Sequence, residues 1–489
     1  MVSFAHESNQ SPCIMKKILL SSLLLLLSAA GARAQRLETH DRHLDRVFTL
    51  AVQTLRGNVE AGIIKAGGVY GGEWTRDVAI NVWNAANLLL PEEAECSLWH
   101  VTTDNRTMIG HQYWDQILWV TGAYDHYLAT QDTLFLRQAC TASANTMRRL
   151  ETEAFDAGYG LFTGPSVFND GIAGYEEPVF DPGVGSSYVL DYPEARHVKC
   201  LSTNCIYYNA YLVLAQMSDK LGHGDEAAIY RQKADTLRKV IRARFYDPAT
   251  ATFAYLIDGH GTVHHFQEGL GISFAILFGI VDRDEAARVV DGVYVAPYGL
   301  PSIYPAFKRF SKERPGRHNV LVWPFVSAFW ADAALHAGRE ERFVSELENL
   351  CRLVEASDDC FYEIYDPYTG EVCGGWQVGG GPGPDGEWDS IHDQTWSATG
   401  LLRMVLRGML GLSFSEEGLC LAPDAGLMAR FGFRKLTDLR YQQGTIDLKR
   451  KGSGEVIREI RIDGMPAGGQ TALLPAPHAG RAVVEIITE

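Results

Sequence analysis

From Arg36 to Leu412 the chain alternates between two kinds of helical segment, and no other feature restricts its fold so tightly. In residues 37–57, 92–105, 132–152, 222–244, 283–294 and 340–356 the apolar side chains recur at helical spacing, while Lys, Arg, Asp and Glu fill the opposite face. Residues 74–90, 110–130, 201–220, 265–279, 317–338 and 391–411 are instead rich in apolar, aromatic and small residues nearly all round. A helix of that second kind has to be enclosed by others. Six of each in strict alternation predict an all-α fold, an (α/α)6 barrel whose inner ring is sheltered by an outer one.

The texture changes after Leu412. Between Lys435 and Glu489, polar and β-branched residues alternate in Thr445-Ile446-Asp447-Leu448, in Val456 to Ile462 and in Val483 to Ile487, separated by Gly and Pro turns. The chain therefore divides into a helical barrel over 35–412 and a small β-rich C-terminal domain over 413–489. Residues 1–34 read as a secretory signal: Met15-Lys16-Lys17, with Met15 the true start, precedes an apolar run from Ile18 to Leu27 and small residues ending at Ala34. This predicts an exported protein, periplasmic or secreted. No later run approaches the ~20 apolar residues of a membrane span, so the mature form is expected to have no membrane partner.

A formal charge of −16 argues against a nucleic-acid partner and against acidic polysaccharides as the main substrate. Neither His264-His265 nor His318 belongs to a set with metal-ligand spacing, and no phosphate-binding glycine loop occurs, so no metal or cofactor is expected. Eight cysteines follow residue 34; Cys200/Cys205 and Cys360/Cys373 are the pairs best placed to form disulfides, with free thiols the equal alternative.

Function is suggested by where the inner segments keep their polar residues, which is near their N-terminal ends. Trp74, Arg76 and Asp77 open the first; Gln112, Trp114 and Asp115 the second; Asn204 and Tyr207 the third. Glu268 opens the fourth, His318, Asn319 and Trp323 the fifth, Asp393, Gln394 and Trp396 the sixth. Polar and aromatic groups would thus collect at one mouth of the barrel, where helix N-termini also favour carboxylates and hydroxyls. Two connections, about 153–200 and 357–390, far exceed ordinary helix–helix loops, and each carries an isolated carboxylate.

In the first, Phe168-Asn169-Asp170-Gly171 sets Asp170 between an aromatic and a glycine, a setting that can raise a carboxyl pKa, although Asp-Gly is also a turn dipeptide. In the second, Tyr362-Glu363-Ile364 precedes a glycine-rich stretch that includes Gly379 to Gly381, so Glu363 either faces a cleft or forms a surface ion pair. Two carboxylates beside aromatic faces are what cleavage of a glycosidic bond requires. Arg76 with Asp77 offers a donor fork and an acceptor for vicinal hydroxyls, or else a structural ion pair. Trp114, Trp323, Trp376 and Trp396 could each be core, and at least two are expected to line the pocket.

The run Phe361 to Asp366, with the glycine loop and Thr395-Trp396-Ser397-Ala398-Thr399-Gly400, resembles the general-base segment of trehalases and glycoside hydrolase family 63. Gly72-Glu73-Trp74-Thr75-Arg76-Asp77 resembles the Trp-x-Arg-Asp motif in the glucosidase domain of glycogen-debranching enzymes, and Phe168-Asn169-Asp170-Gly171 their general-acid segment. The resemblance to these six-hairpin glycosidases covers nearly all of residues 37 to 412. It implies an inverting glycoside hydrolase with Asp170 as acid and Glu363 as base, and the Trp-x-Arg-Asp residues in the innermost subsite. An α-glucosidase-like exo-enzyme on neutral α-linked oligosaccharides is the leading expectation. The alternatives are another sugar enzyme of the same fold (α-mannosidase, α-rhamnosidase, unsaturated glucuronyl hydrolase or epimerase) and a non-catalytic sugar-binding derivative.

Overall fold

A computed structural model of the chain describes residues 35–70, 74–110, 114–377 and 386–489. The signal segment, Glu73, Gln112 and Gly379 to Gly381 lie outside the described residues. Within the described residues, twelve helices alternate in burial as the sequence pattern requires. The one-faced set comprises α1 (Arg42–Gly57), α3 (Pro91–His100), α5 (Thr133–Glu153), α7 (Gly224–Phe245), α9 (Arg283–Gly292) and α11 (Glu340–Ala356). Between them run α2 (Thr75–Asn81), α4 (Trp119–Thr130), α6 (Leu201–Lys220), α8 (Gly269–Leu277), α10 (Pro324–His336) and α12 (Thr395–Arg403).

The first set buries a single stripe, in α1 Leu44, Val47, Phe48, Ala51, Val52 and Leu55. The second is buried almost throughout, and every residue of α2 and of α12 is buried. Consecutive inner helices pack on one another, α2 on α4, α4 on α6, α6 on α8, α8 on α10 and α10 on α12, and α12 packs back on α2. At Gly122 on α4 a side chain would stand 2.9 Å from the Ala79 carbonyl of α2, so glycine permits that close approach.

Starts are set by local chemistry. Asp41 and Asp132 accept backbone N–H groups at the heads of α1 and α5, and Asp282 with Glu285 forms a capping box on α9. Pro324 occupies the first turn of α10, so His318, Asn319 and Trp323 belong to the preceding loop and not to the helix, as the range 317–338 had implied. Likewise Trp114 and Asp115 precede α4.

The β-rich part begins at Leu412. Strands β2 (Leu412–Ser415), β3 (Gly418–Leu421) and β8 (Ala472–Pro475) form a sheet in the order β2-β3-β8. A six-stranded sheet contains β4 (Lys435–Tyr441), β5 (Gln443–Lys451), β6 (Ile457–Ile462), β7 (Met465–Gly468) and β9 (Ala479–Thr488). Its edge strand is β1 (Arg36–Glu38), which pairs antiparallel with β4 in the register Leu37 to Leu436, giving the order β1-β4-β5-β9-β6-β7. The first described residues thus belong to the C-terminal sheet and not, as the sequence division had them, to the helical part. Leu436, Ile446, Leu448 and Val484 lie in the same apolar cluster as the helices.

Cys200, Cys205, Cys360 and Cys373 are free thiols, so neither Cys200/Cys205 nor Cys360/Cys373 is bridged. Among the described residues no helix is long and apolar enough to cross a membrane.

Candidate active site

The two long connections meet at a cavity of about 220 Å³ beside the N-terminal ends of the inner helices. Into it face Trp74, Arg76, Asp77, Asp170, His318, Trp323, Glu363 and Trp396, together with Tyr70, Phe168, Ser187, Tyr188, Arg317, Gln377 and Trp388. Its floor is aromatic. Phe168 sits with ring centroids 5.0 Å from Trp323 and 4.9 Å from Phe325, while Trp396 stacks on Phe325 at 4.2 Å. His318 stacks on Trp323 at 5.1 Å and 16°.

Asp170 is positioned by its backbone: its carbonyl accepts from Val189 N at 2.7 Å, and its N–H donates to the Phe168 carbonyl at 2.8 Å. Phe168 adopts φ +61°, a left-handed conformation uncommon for a bulky residue, in the turn that presents the carboxylate. Arg76 donates to Asp170 Oδ2 at 2.8 Å, and His318 Nε2 lies 3.5 Å from Oδ1. Burial pushes the Asp170 pKa up, but the Arg76 guanidinium, which faces and hydrogen-bonds the carboxylate, together with Arg317 opposes it, and the net shift is downward. This corrects the expectation from Phe168 and Gly171 alone, which pointed upward. The free site therefore holds Asp170 ionised.

Arg76 gathers two further carboxylates. Asp77 lines the cavity at 3.6 Å from Arg76 Nε, and burial, only partly offset by Arg76, pushes its pKa to about 7. Asp115 lies behind Arg76, 3.3 Å from Nη1 and fully inaccessible, with its pKa pushed to about 6 by burial. His318, almost fully buried, is held neutral, its pKa lowered to about 3 by desolvation.

Glu363 is 3% exposed and fixed at both oxygens: Tyr70 Oη donates to Oε1 at 2.9 Å and Arg317 Nη2 to Oε2 at 2.7 Å. Arg317 is itself locked, lying over Trp388 at 5.1 Å while its own carbonyl accepts from Trp323 Nε1 at 3.0 Å. Gln377 joins the two connections. Its Oε1 accepts from Ala173 N at 3.4 Å and its Nε2 donates to Ser187 Oγ at 3.4 Å, so the segment after Glu363 touches the loop that carries Asp170.

The remaining residues singled out in the sequence do not face the cavity. Asn204 bonds the backbone of Phe162 and Cys200, and Tyr207 stacks on Phe162 at 3.8 Å. Glu268 accepts from Ser202 N at 3.3 Å in a dry site that pushes its pKa to about 8. Trp114 donates to the Ser166 carbonyl, Trp376 lies under the Arg314 guanidinium at 4.3 Å, and the buried Gln394 side chain packs against Gly67. For Asn204, Glu268 and Trp114 the reason is that loop backbone near a helix start needs partners, which nearby polar side chains supply. Conversely, Tyr70, Arg317 and Gln377 escaped the sequence reading. Only Arg317 carried a signal, as the neighbour of His318.

Residues 115–397, more than half of the chain, match the model of the mannosylglycerate hydrolase MGH1-like glycoside hydrolase domain. Among solved structures, the GH63 mannosylglycerate hydrolase from Thermus thermophilus in complex with glucose superposes with a TM-score of 0.56 at 17% identity, over 73% of this chain and 100% of that one. A rhamnosidase from Klebsiella oxytoca with rhamnose bound gives 0.55 at 14%, over 78% and 66%. A GH78 family rhamnosidase from a Bacillus species gives 0.57 at 14%, over 93% and 44%. Identities this low speak for a shared fold. A search of curated proteins gave no match. With the family model spanning both connections and their carboxylates, the chain belongs to the MGH1-like glycoside hydrolases and is a glycosidase.

Proposed function

We propose that the protein is an exported, inverting exo-glycosidase that takes the terminal hexose of a neutral α-linked glycoside, with gluco- or manno-configured rings the first candidates. The carrying observation is that Asp170 and Glu363, on separate connections, face one small aromatic-floored cavity. At about 220 Å³ that cavity is below the ~300–1,000 Å³ of drug-sized ligand sites, which suits one ring rather than a chain. The closed succession of inner helices supports an (α/α)6 barrel as its frame, with 413–489 as an appended β-rich domain.

In this reading Glu363, held by Tyr70 and Arg317, draws a proton from the attacking water, and Asp170 protonates the departing oxygen from the other face. Asp170 must first acquire a proton. Sugar hydroxyls that engage Arg76 loosen its hold on Asp170 and exclude water, and both effects raise the carboxyl's proton affinity. Both cavity arginines already serve site carboxylates, Arg76 with Asp170 and Arg317 with Glu363, which favours a neutral aglycone over an acidic one such as glycerate. The Trp74 and Arg76 side chains then hold the ring beside Asp77.

A screen of aryl α-glycosides, natural oligosaccharides and mannosylglycerate, with NMR of the first-formed anomer, tests this. Inversion, faster turnover of neutral substrates, and losses of several orders of magnitude in Asp170→Asn and Glu363→Gln are the expected results. An initial product of retained configuration overturns the inverting assignment, and near-full activity in either variant overturns that residue's role.

A further inference from the structure

The segment that carries Glu363 is tied to the segment leading into α12. Glu363 N donates to the Ile391 carbonyl and Gln394 N to the Phe361 carbonyl, each at 2.8 Å, while Ser390 Oγ bonds both backbone groups of Ile364. At the outer end of this ladder three side chains of different chemistry converge. The Cys360 thiol donates to Asp393 Oδ1 at 3.5 Å, and His392 Nδ1 lies 2.7 Å from Asp393 Oδ2. The thiol sulfur, the imidazole nitrogen and the carboxylate oxygen all lie within 4.8 Å of one another, the one such trio found among the described residues.

The backbone is shaped around this trio. Asp393 adopts φ +52°, a conformation that costs a non-glycine residue energy, and its carbonyl is held by Asn58 Nδ2 at 2.6 Å. The chain crosses beneath at Gly68, where a side chain would stand 3.1 Å from Asp393 Cβ and 3.3 Å from His392 Cε1. One face of the trio is therefore closed by backbone, and the other is open, with the His392 and Asp393 side chains 51% and 49% exposed.

We propose that Cys360, His392 and Asp393 form a binding site for a zinc-class divalent cation, with solvent completing its coordination. One sulfur, one imidazole nitrogen and one carboxylate oxygen are a zinc-type ligand set, whereas Ca²⁺ and Mg²⁺ favour oxygen alone. The spacing of 392 and 393 in sequence matches no metal motif; the trio exists because the ladder brings Cys360 alongside. Binding exchanges the thiol proton of Cys360, released to solvent, for the metal–sulfur bond. The cation would clamp residue 360 to 392–393, three positions before Glu363. The inference rests on this geometry and not on the glycosidase reading.

Cobalt(II) titration of the purified full chain, followed by its thiolate-to-metal absorption band and by competition with Zn²⁺, reads the site directly. One equivalent is expected to bind and to be displaced by Zn²⁺. Cys360→Ser should abolish the band and His392→Ala should weaken binding at least ten-fold, while Cys373→Ser and Cys420→Ser leave it intact. Thermal melts of all four variants verify folding. No saturable band, or a band that survives Cys360→Ser in the folded variant, overturns the proposal.

Discussion

Gly171 follows the candidate acid directly, and any side chain there meets the amide of Gln377. The Gly171 backbone, φ −104° and ψ 147°, is open to any residue, so Gly171→Ala introduces no torsional strain. The methyl group, however, would stand 1.8 Å from Gln377 Oε1, 2.4 Å from Cδ and 2.5 Å from Nε2. Carbon and oxygen need well over ~3 Å, so either the Gln377 amide or the Asp170 loop must move by about 1.5 Å. If the amide moves, its bonds to Ala173 N and Ser187 Oγ are lost, at ~0.5–1.5 kcal/mol each. If the loop moves, Asp170 leaves Arg76, and a displacement near ~1 Å at a reacting group costs on the order of 100-fold in rate. Gly171→Ala should therefore lower kcat/KM by about 10- to 100-fold and stability by ~1–3 kcal/mol, an overpacking cost. The decisive measurement is a double-mutant cycle with Gln377→Ala, which clears the space. The double variant should be no worse than Gln377→Ala alone, a coupling of more than ~1 kcal/mol in kcat/KM and in melting. Simple additivity, or a Gly171→Ala enzyme as active as wild type, would refute the collision argument.

Tyr70→Phe removes one of two donors to Glu363 while Arg317 remains, so a loss of about ten-fold in kcat with a modest change in KM is expected from steady-state kinetics. Glu268→Gln tests burial: the carboxyl, raised to about 8 from 4.5, stays protonated in the folded state while the unfolded chain ionises, so wild type loses stability as pH climbs through that window. The glutamine variant, which keeps the acceptor for Ser202 N, should melt progressively higher than wild type between about pH 5 and about pH 8, by an amount on the order of a few kcal/mol at the upper end. A constant offset across that range would contradict it.

The helical alternation was legible because burial on all sides leaves an unmistakable composition, as in α8 and α10, and the two connections betrayed themselves by length. What the sequence could not supply was partnership across distant segments. Phe168 and Gly171 flank Asp170 in the chain, but Arg76 decides its charge, and nothing near 170 announces it. Tyr70 and Arg317 reach Glu363 from distant parts of the chain for the same reason. Asn204 and Glu268 misled in the opposite direction: polar residues at inner-helix starts look like ligands for sugar, yet loop backbone claims them. A three-residue strand such as β1 is too short to show a period of two, so its place in the C-terminal sheet was invisible.

That strand bears on how the molecule is made. Arg36 finds its partner at Thr437, so the structure of one of the earliest described residues depends on a segment synthesised about 400 residues later. Sequence-distant pairing of this kind must absorb the entropy of closing a very long loop before any contact repays it. A ribosome-bound fragment ending before Lys435 has no edge for β1 to join, and α12, which packs on both α1 and α2, is equally late. Pairing of β1 should accordingly wait until the segment from Lys435 has been synthesised.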